Sequence, residues 1–348
     1  MKVLIDTSPL ANAHAIRGIG IYTKYLSGYL EKLANLKLKR STLIKDEKFD
    51  PDIIHYPYFD LFFNTLPLRL NKRKKIVVTV HDVIPLKFPE QYNPGIKGKL
   101  KFLKQKKTIQ KVDAIITDSY ASKIDIVNYL NISDKKIHVV YLAANPKIKK
   151  PSNTIINQIK KKYKLPQKFI LYVGDINYNK NIVQLIKAVK YLPNDIKLVC
   201  VGKNFKAANI PEWQWIETQL VASQVEKRVK FISNILGDAD EELSAIYAAA
   251  EIYVQASIYE GFGLPVLEAM ICKTPVICSK NSSLIEIGDG FVQFTREDAE
   301  SIANNIKKVL AWPKQKRETF IKKAFTWSKK FTWQKTAKNT FKVYQKIL

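Results

Sequence analysis

The sequence predicts two α/β domains, each an open parallel sheet layered with helices, and three observations lead there. Short runs rich in Val, Ile and Leu alternate with longer stretches of helical spacing along nearly all of the 348 residues, which is the pattern of βαβ units. Several of these short runs are continuous where a half-exposed strand would alternate. Ile76-Val77-Val78-Thr79-Val80 and Phe169-Ile170-Leu171-Tyr172-Val173 are the clearest, and such strands are covered on both faces, as in a parallel sheet. Between the two series of strands lies 145–167, where Pro146, Pro151 and Pro166 interrupt a lysine-rich stretch. Two domains of ordinary size result, drawn as 1–150 and 151–330, with 331–348 as a terminal helix.

In chain order, the first series of strands is Lys2–Ile5, Asp52–His55, Lys75–Val80, Asp113–Thr117 and Lys136–Tyr141. Asn145–Gln167 opens as a linker and contains a polar helix over Thr154–Tyr163. The second series is Phe169–Val173, Ile196–Val201, Val229–Ile232, Glu251–Gln255, Pro275–Cys278 and Phe291–Phe294. Asp240–Ala250 is helical, and acids at its start complement the helix dipole. Phe331–Leu348 is helical as well, with Trp333, Phe341 and Tyr344 as its large apolar residues, and no strand follows it. It is expected to pack back across the domains. No short-period repeat is visible.

Apolar residues make up 46% and charged residues 26%, so the chain is globular and not disordered. Lys+Arg total 58 against 31 Asp+Glu, a formal charge of +27. That excess admits nucleic acid, an anionic membrane surface or a phosphorylated ligand as partner. Lysine dominates it, and lysine lacks the planar fork with which arginine reads base edges. Zinc-finger spacing, an RNA-recognition aromatic motif and tandem basic helices are all absent, so no nucleic acid partner is expected. Cys200, Cys272 and Cys278 lie in apolar runs without a close pair, which fits a reducing compartment. Met1–Ile5 meets Asp6 too early for a signal-peptide core, and no apolar window is long enough to span a bilayer. A cytoplasmic protein is expected.

The strongest constellation follows the strand ending at Gln255: Ala256-Ser257-Ile258-Tyr259-Glu260-Gly261-Phe262-Gly263-Leu264-Pro265-Val266-Leu267-Glu268. Pro265 suits the first turn of a helix. Gly261 and Gly263 permit close approach of backbone to a ligand. The helix N-terminus favours phosphate oxygens. Glu260 stands in the loop before the helix and Glu268 about one turn inside it, and carboxylates there suit a hydroxyl-rich ligand. The bland alternative is a glycine-rich turn with a dipole partner and a buried pair.

This segment resembles the Glu-x7-Glu signature of retaining glycosyltransferases of the GT-B fold, two facing Rossmann-like domains with a C-terminal crossover helix, in the large family numbered four. The resemblance covers nearly the whole chain. Ile5-Asp6 through Gly18-Ile19-Gly20-Ile21-Tyr22 is similar to the family's first strand and glycine-rich loop, and Val80-His81-Asp82 to its N-domain histidine motif. Tyr172-Val173-Gly174 through Asn179-Lys180-Asn181 is similar to the first strand and phosphate-binding loop of the donor domain. Phe331-Thr332-Trp333 opens what resembles the crossover helix.

The resemblance implies transfer of a hexosyl unit, with retention, from a nucleotide sugar bound by the second domain to an acceptor hydroxyl on the first, with closure of the domains. It implies that Glu260 bonds donor-sugar hydroxyls and Glu268 the ribose. Backbone around Gly261, Phe262, Gly263 and Leu264 meets sugar and diphosphate. Lys180, in the loop after Gly174, neutralises the leaving diphosphate, and its departing oxygen takes the acceptor proton. Gly20 brings the N-domain loop to the same phosphates, His81 lies beside the transferred sugar, and Ile235 lies near the base. His81, Glu260 and Lys180 are thus the catalytic candidates.

No cofactor is expected, the donor being a substrate, GDP-mannose or a UDP-hexose; the wording Tyr-Glu-Gly-Phe-Gly-Leu-Pro leans to mannosyl transfer. Two departures stand out. Asn179 and Asp175 occupy places where the family usually has arginine, and Ala256 replaces a proline.

Among the other histidines, His55 and His138 read as structural, whereas His14 lies in the first loop within reach of a substrate. Asp238-Ala239-Asp240 imitates a metal motif of another fold but opens a helix, and no cluster has metal-ligand spacing, so metal independence is expected. Asn93–Lys111 holds seven lysines (97, 99, 101, 104, 106, 107, 111) and no acid. On a helix, Ile96, Leu100 and Leu103 form an apolar stripe between them. Lys97–Lys111 thereby suits an anionic membrane surface, with a glycan or lipid-linked acceptor, and peripheral contact with the inner face of the membrane is expected. A solvated lysine-rich helix gives the same pattern. The rival classes are a nucleic-acid binder using the basic surface and a non-catalytic binder of sugar nucleotides or glycans.

Overall fold

The computed structural model describes residues 1–11, 18–42, 49–235 and 239–348. They divide into two compact units, Met1–Ala143 with Phe331–Leu348, and Ala144–Lys330.

The first unit runs β1 (Lys2–Asp6), α1 (Gly18–Leu30), β2 (Lys37–Ser41), β3 (Ile53–Tyr56), β4 (Lys75–Thr79), α2 (Ile84–Lys87), α3 (Gly95–Ile109), β5 (Ala114–Thr117), α4 (Tyr120–Leu130) and β6 (Ile137–Val139). The strands pair in the order β2-β1-β3-β4-β5-β6, all parallel. Every position of β3 and β5 is buried, as a strand covered on both faces requires. β2 was not expected. Its sequence, KLKRS, has no apolar run and its residues are half-buried or exposed. It exists because β1 offers a free edge, and Thr7 N extends the ladder by donating to Ser41 O at 2.8 Å. Charged side chains on such an edge discourage pairing with another chain. Ser119 caps α4, its Oγ accepting from Ser122 N at 3.0 Å.

The second unit runs α5 (Asn153–Lys162), β7 (Lys168–Val173), α6 (Ile182–Val189), β8 (Ile196–Val201), α7 (Pro211–Ser223), β9 (Val229–Ile232), α8 (Asp240–Ala249), β10 (Ile252–Gln255), α9 (Leu264–Ile271), β11 (Val276–Ser279), α10 (Ser282–Gly288), β12 (Gln293–Thr295), α11 (Ala299–Leu310) and α12 (Lys314–Ser328). Its strands pair in the order β12-β11-β10-β7-β8-β9, again parallel. Residues 144–150, read as linker, belong to this unit, where Asn145 Nδ2 donates to Asp240 Oδ1 at 2.7 Å. Just past β8, a Cβ on Gly202 would lie 1.9 Å from the Gly174 carbonyl oxygen, so only glycine lets the ends of β7 and β8 come this close.

The chain returns to the first unit at Phe331, and α13 (Trp333–Ile347) packs along α1. Thr332 caps it, and Trp333, Val343 and Tyr344 are buried while Phe341 is half-buried. The Trp333 ring lies 5.5 Å from Tyr25 and 6.2 Å from Tyr22. His55 fastens this helix to the sheet. Its Nδ1 meets Tyr344 Oη at 2.6 Å and its Nε2 meets Thr79 Oγ1 at 2.8 Å. Burial, with His81 adding, pushes its pKa down to about 3, so it is neutral and structural. His138 lies in β6 and is half-buried.

Candidate active site

In the second unit, successive strands step one way from β7 to β9 and the other way from β10 to β12. The loops after β7 and β10 therefore diverge and leave a crevice at the carboxyl ends of the strands, where ligands of open α/β sheets bind. The residues singled out by the sequence line this reversal.

Lys180 closes a turn over Tyr178–Lys180 after β7, and Glu260 lies in the loop after β10. Asparagines hold the two loops together. Asn179 Nδ2 donates to Tyr259 O at 2.9 Å, and Ile258 N donates back to Asn179 O at 2.9 Å. Asn181, left-handed at φ 59°, donates to Ala256 O and Glu297 O, each at 2.9 Å. Asn179 thus spends its amide on the neighbouring loop.

Lys180 Nζ reaches both carboxylate oxygens of Glu260 at 2.8 Å. Glu260 Oε1 also accepts from Gln255 Nε2 at 2.8 Å and Ser257 Oγ at 2.6 Å. The Glu260 side chain is 7% exposed and that of Lys180 21%, so this is a nearly dry ion pair with its carboxylate saturated by hydrogen bonds. The backbone is fastened as well. Glu260 N donates to Ser282 Oγ at 3.0 Å, and Ser283 Oγ donates to Glu260 O and Phe262 O, each at 2.9 Å.

Phe262 is buried, and Gly263 caps α9 in the left-handed region at φ 103°. A Cβ there would come within 3.0 Å of Leu284 Cδ2, so this turn requires glycine on two counts. Gly261 and Gly263 flank Phe262, and Leu264 is the first residue of the helix.

Glu268, buried inside α9, has a different environment. Its Oε2 accepts from Tyr247 Oη at 3.0 Å, and no cation among the described residues pairs with it. Burial pushes its pKa up to about 7, against the Tyr247 hydrogen bond and with Asp240 adding. Gly174 follows β7, and Ile235 lies half-buried beyond β9, next to the residues outside the description.

In the first unit the strand order reverses between β1 and β3. His81 follows β4, the strand paired with β3. Its Nδ1 lies 2.6 Å from Asp118 Oδ2, and the Tyr22 ring meets its imidazole edge-on at 4.8 Å. Tyr22 Oη is bonded to Thr79 Oγ1 at 2.9 Å. Burial alone would strip His81 of its proton. The charge and hydrogen bond of Asp118, with Asp82 and the Pro57 backbone adding, outweigh burial and hold the imidazole above its ordinary 6.5. His81 Nε2 and Asp118 Oδ1 are buried without a hydrogen-bond partner among the described residues.

Gly20 corrects the sequence reading. It is not in a loop but in the first turn of α1, where it is buried, because the helix begins at Gly18. His14, in the first loop, and Asp238 lie outside the described residues, while Asp240 heads α8.

The structure thus joins Lys180 to Glu260, sets Glu268 apart with Tyr247, and gives His81 a partner that the sequence reading missed. Asp118 stands directly after β5, at the carboxyl end of a parallel strand where ligands of such sheets bind, so its position alone points to it. Gln255, Ser257 and Tyr247 carried no such signal, being polar residues within or beside apolar runs. Among the described residues, no helix is long and apolar enough to cross a membrane.

Two family models match the chain: glycosyl transferases group 1 over residues 155–327 and glycosyltransferase family 4 over residues 3–147. The chain is 29% identical over 304 residues to the O-antigen chain mannosyltransferase B of Escherichia coli, covering 84% of this chain and 74% of that protein. It is 27% identical over 309 residues to the Escherichia coli serotype-specific mannosyltransferase WbdA, covering 86% of this chain but only 37% of that longer protein. A crystal structure of Anabaena HepE in complex with UDP and glucose superposes with a TM-score of 0.71 at 17% identity, covering 99% of each chain.

Proposed function

From the premise that the chain belongs to the glycosyltransferases of group 1 and family 4, with their GT-B fold, we propose that it moves a hexosyl unit from a nucleotide sugar to a glycan or lipid-linked acceptor hydroxyl. Anomeric configuration is retained. The bond from the sugar C1 to the diphosphate breaks, a C1–oxygen bond to the acceptor forms, and the acceptor proton passes to the departing phosphate oxygen.

The observation that carries this reading is the Lys180–Glu260 pair at the strand reversal of the second unit. Each group is the other's stand-in. A donor diphosphate replaces Glu260 on the Lys180 ammonium, and donor-sugar hydroxyls replace Lys180 on the Glu260 carboxylate. The exchange keeps both charged groups hydrogen-bonded in a nearly dry site, with hydroxyls, Gln255 and Ser257 on the Glu260 carboxylate. The leaving diphosphate is then held by Lys180 and the α9 N-terminus, an electrostatic contribution to transition-state binding. Glu268 takes the ribose hydroxyls, and His81, steadied by Asp118, donates beside the transferred sugar.

The mannosyltransferase relative supports GDP-mannose as donor, and HepE with its UDP and glucose supports a UDP-hexose. Melting curves across GDP-, UDP-, ADP- and dTDP-sugars decide between them, since a true donor stabilises the folded state by its occupancy. Transfer by the parent and its loss in Lys180→Ala and Glu260→Ala test the reaction; full activity in both variants refutes it. On the acceptor side, α3 keeps Ile96, Leu100 and Leu103 exposed at 81%, 56% and 54% among its lysines. That face supports peripheral contact with an anionic membrane.

A further inference from the structure

A cavity of about 950 Å³ lies in the first unit, between residues 68–75 and the end of α3. Six cations line it: Arg69, Lys72, Arg73, Lys74, Lys75 and Lys111. Two are neutralised, Lys74 by Asp50 and Lys75 by Asp113, the latter at 3.1 Å. The other four make no ion pair among the described residues. The acids of the lining are already engaged by backbone: Asp113 Oδ2 accepts from Ile76 N at 2.8 Å and Asp52 Oδ2 from Lys2 N at 2.7 Å. Among the described side chains the cavity therefore carries a positive excess, including two arginines whose forks match phosphate oxygens.

Its surroundings indicate where a ligand comes from. Gln105, within α3, clamps the loop that leads into the cavity, accepting from Thr65 N at 3.2 Å and Leu66 N at 3.0 Å. Lys101 of α3 covers the Phe63 ring at 5.3 Å. Phe63 and Leu68 are each 65% exposed. Thr108 and Lys111, at the end of α3, belong to the cavity wall. The loop that carries exposed Phe63 and Leu68 thus runs from α3, through Lys101 and Gln105, to the cavity wall, of which Leu68 is part.

We propose that this cavity is an anion site for closely spaced phosphate oxygens, filled by a phosphomonoester lipid head group when α3 rests on a membrane. It deepens the membrane reading above, and α3 variants separate the two. The probe is phosphatidylcholine vesicles containing either phosphatidic acid or phosphatidylglycerol at matched surface potential, read by co-sedimentation. The phosphatidic acid vesicles are expected to bind at least about fivefold more tightly. Arg69→Gln/Arg73→Gln/Lys111→Gln, with an unchanged melting curve, is expected to bind both vesicles alike and to keep the parent's donor hydrolysis. Equal binding of both vesicles by the parent, or a preference that survives in the triple variant, overturns the proposal.

Ile96→Ser/Leu100→Ser/Leu103→Ser weakens both vesicles equally if the membrane reading holds. Where the parent binds no vesicle, that reading fails and calorimetry with inorganic diphosphate judges the cavity alone. With Lys180→Ala as the common background, so that the donor site takes no part, binding that the triple substitution abolishes makes free phosphate the source, and binding that is absent or unchanged by it overturns the site.

Discussion

Replacing Glu268 with glutamine should make the unliganded protein more stable and the donor complex weaker. In the folded state the carboxyl has a pKa of about 7, against an ordinary 4.5. Below pH 4.5 it is protonated whether the chain is folded or not, and it contributes no penalty. As pH rises from there towards 7, the unfolded chain releases the proton while the folded chain retains it, so stability falls, and above about 7 the loss is complete. At about 1.4 kcal/mol for each tenfold difference in proton affinity, the full loss is on the order of 3 kcal/mol. Glutamine keeps the acceptor for Tyr247 Oη and cannot ionise, so Glu268→Gln recovers that amount at pH 8 and little near pH 5.

For a cooperative unit the size of Ala144–Lys330, the gain corresponds to a rise of roughly 6–12 °C in Tm. The assay is calorimetric melting of parent and variant at pH 5, 6.5 and 8 without ligand. The same variant loses charge-assisted bonds to the ribose, each about 1.5–3 kcal/mol, so nucleotide affinity should fall roughly 10- to 100-fold. A variant that melts no higher than the parent at pH 8, or that gains equally at pH 5 and 8, refutes this account of Glu268.

Lys180→Met should lower Tm, because it leaves a buried carboxylate uncompensated at a cost towards the lower end of about 3–5 kcal/mol. Adding Glu260→Gln should restore most of the Tm without restoring transfer, and a double variant that melts as low as Lys180→Met contradicts the pairing. Asp118→Asn removes the carboxylate that holds His81 above its ordinary range. The stability from that pair is present below pH 6.5 and lost as pH rises through the folded-state pKa. The variant's Tm deficit should therefore be larger at pH 6 than at pH 9, as scanning calorimetry at the two values would read, and an equal deficit would separate His81 from Asp118.

Much of the sheet was legible because its strands are buried on both faces, and burial on both faces writes itself as a continuous apolar run. β2 was not legible, because its backbone pairing is supplied by a distant β1 and its side chains, at an edge, are free to be Lys37, Lys39 and Arg40. The helix begun at Gly18 was read as loop because the resemblance placed a glycine-rich loop there, yet the buried Tyr22 and Leu26 of the same segment pack it as a helix. At the site, Glu260 and Glu268 were visible through the glycines and proline between them. Their partners Gln255, Ser257 and Tyr247 were not, since a hydrogen bond to a carboxylate leaves no periodicity. Asp118 was visible in principle, as the first residue past β5, and was passed over because strand ends were weighed only at the histidines and after Gln255.

The two carboxylates of the second unit show how one short segment gives chemically equal side chains unequal work. Glu260 lies in a loop that the chain can fold against another loop, and Asn179, Asn181 and Ser283 hold that loop so that Lys180 arrives at both oxygens. Its two oxygens are thereby held by Lys180, Gln255 and Ser257. Glu268 is fixed by the helix among apolar neighbours, where Tyr247 donates to it, and near neutrality its proton is loosely held. A ligand that offers it hydroxyl donors recruits the charged form, so donor binding should release a proton from Glu268. Here the division follows from loop against helix, and the distance from Glu260 to Glu268 along the chain matters because it places one residue on each side of the Gly263 cap.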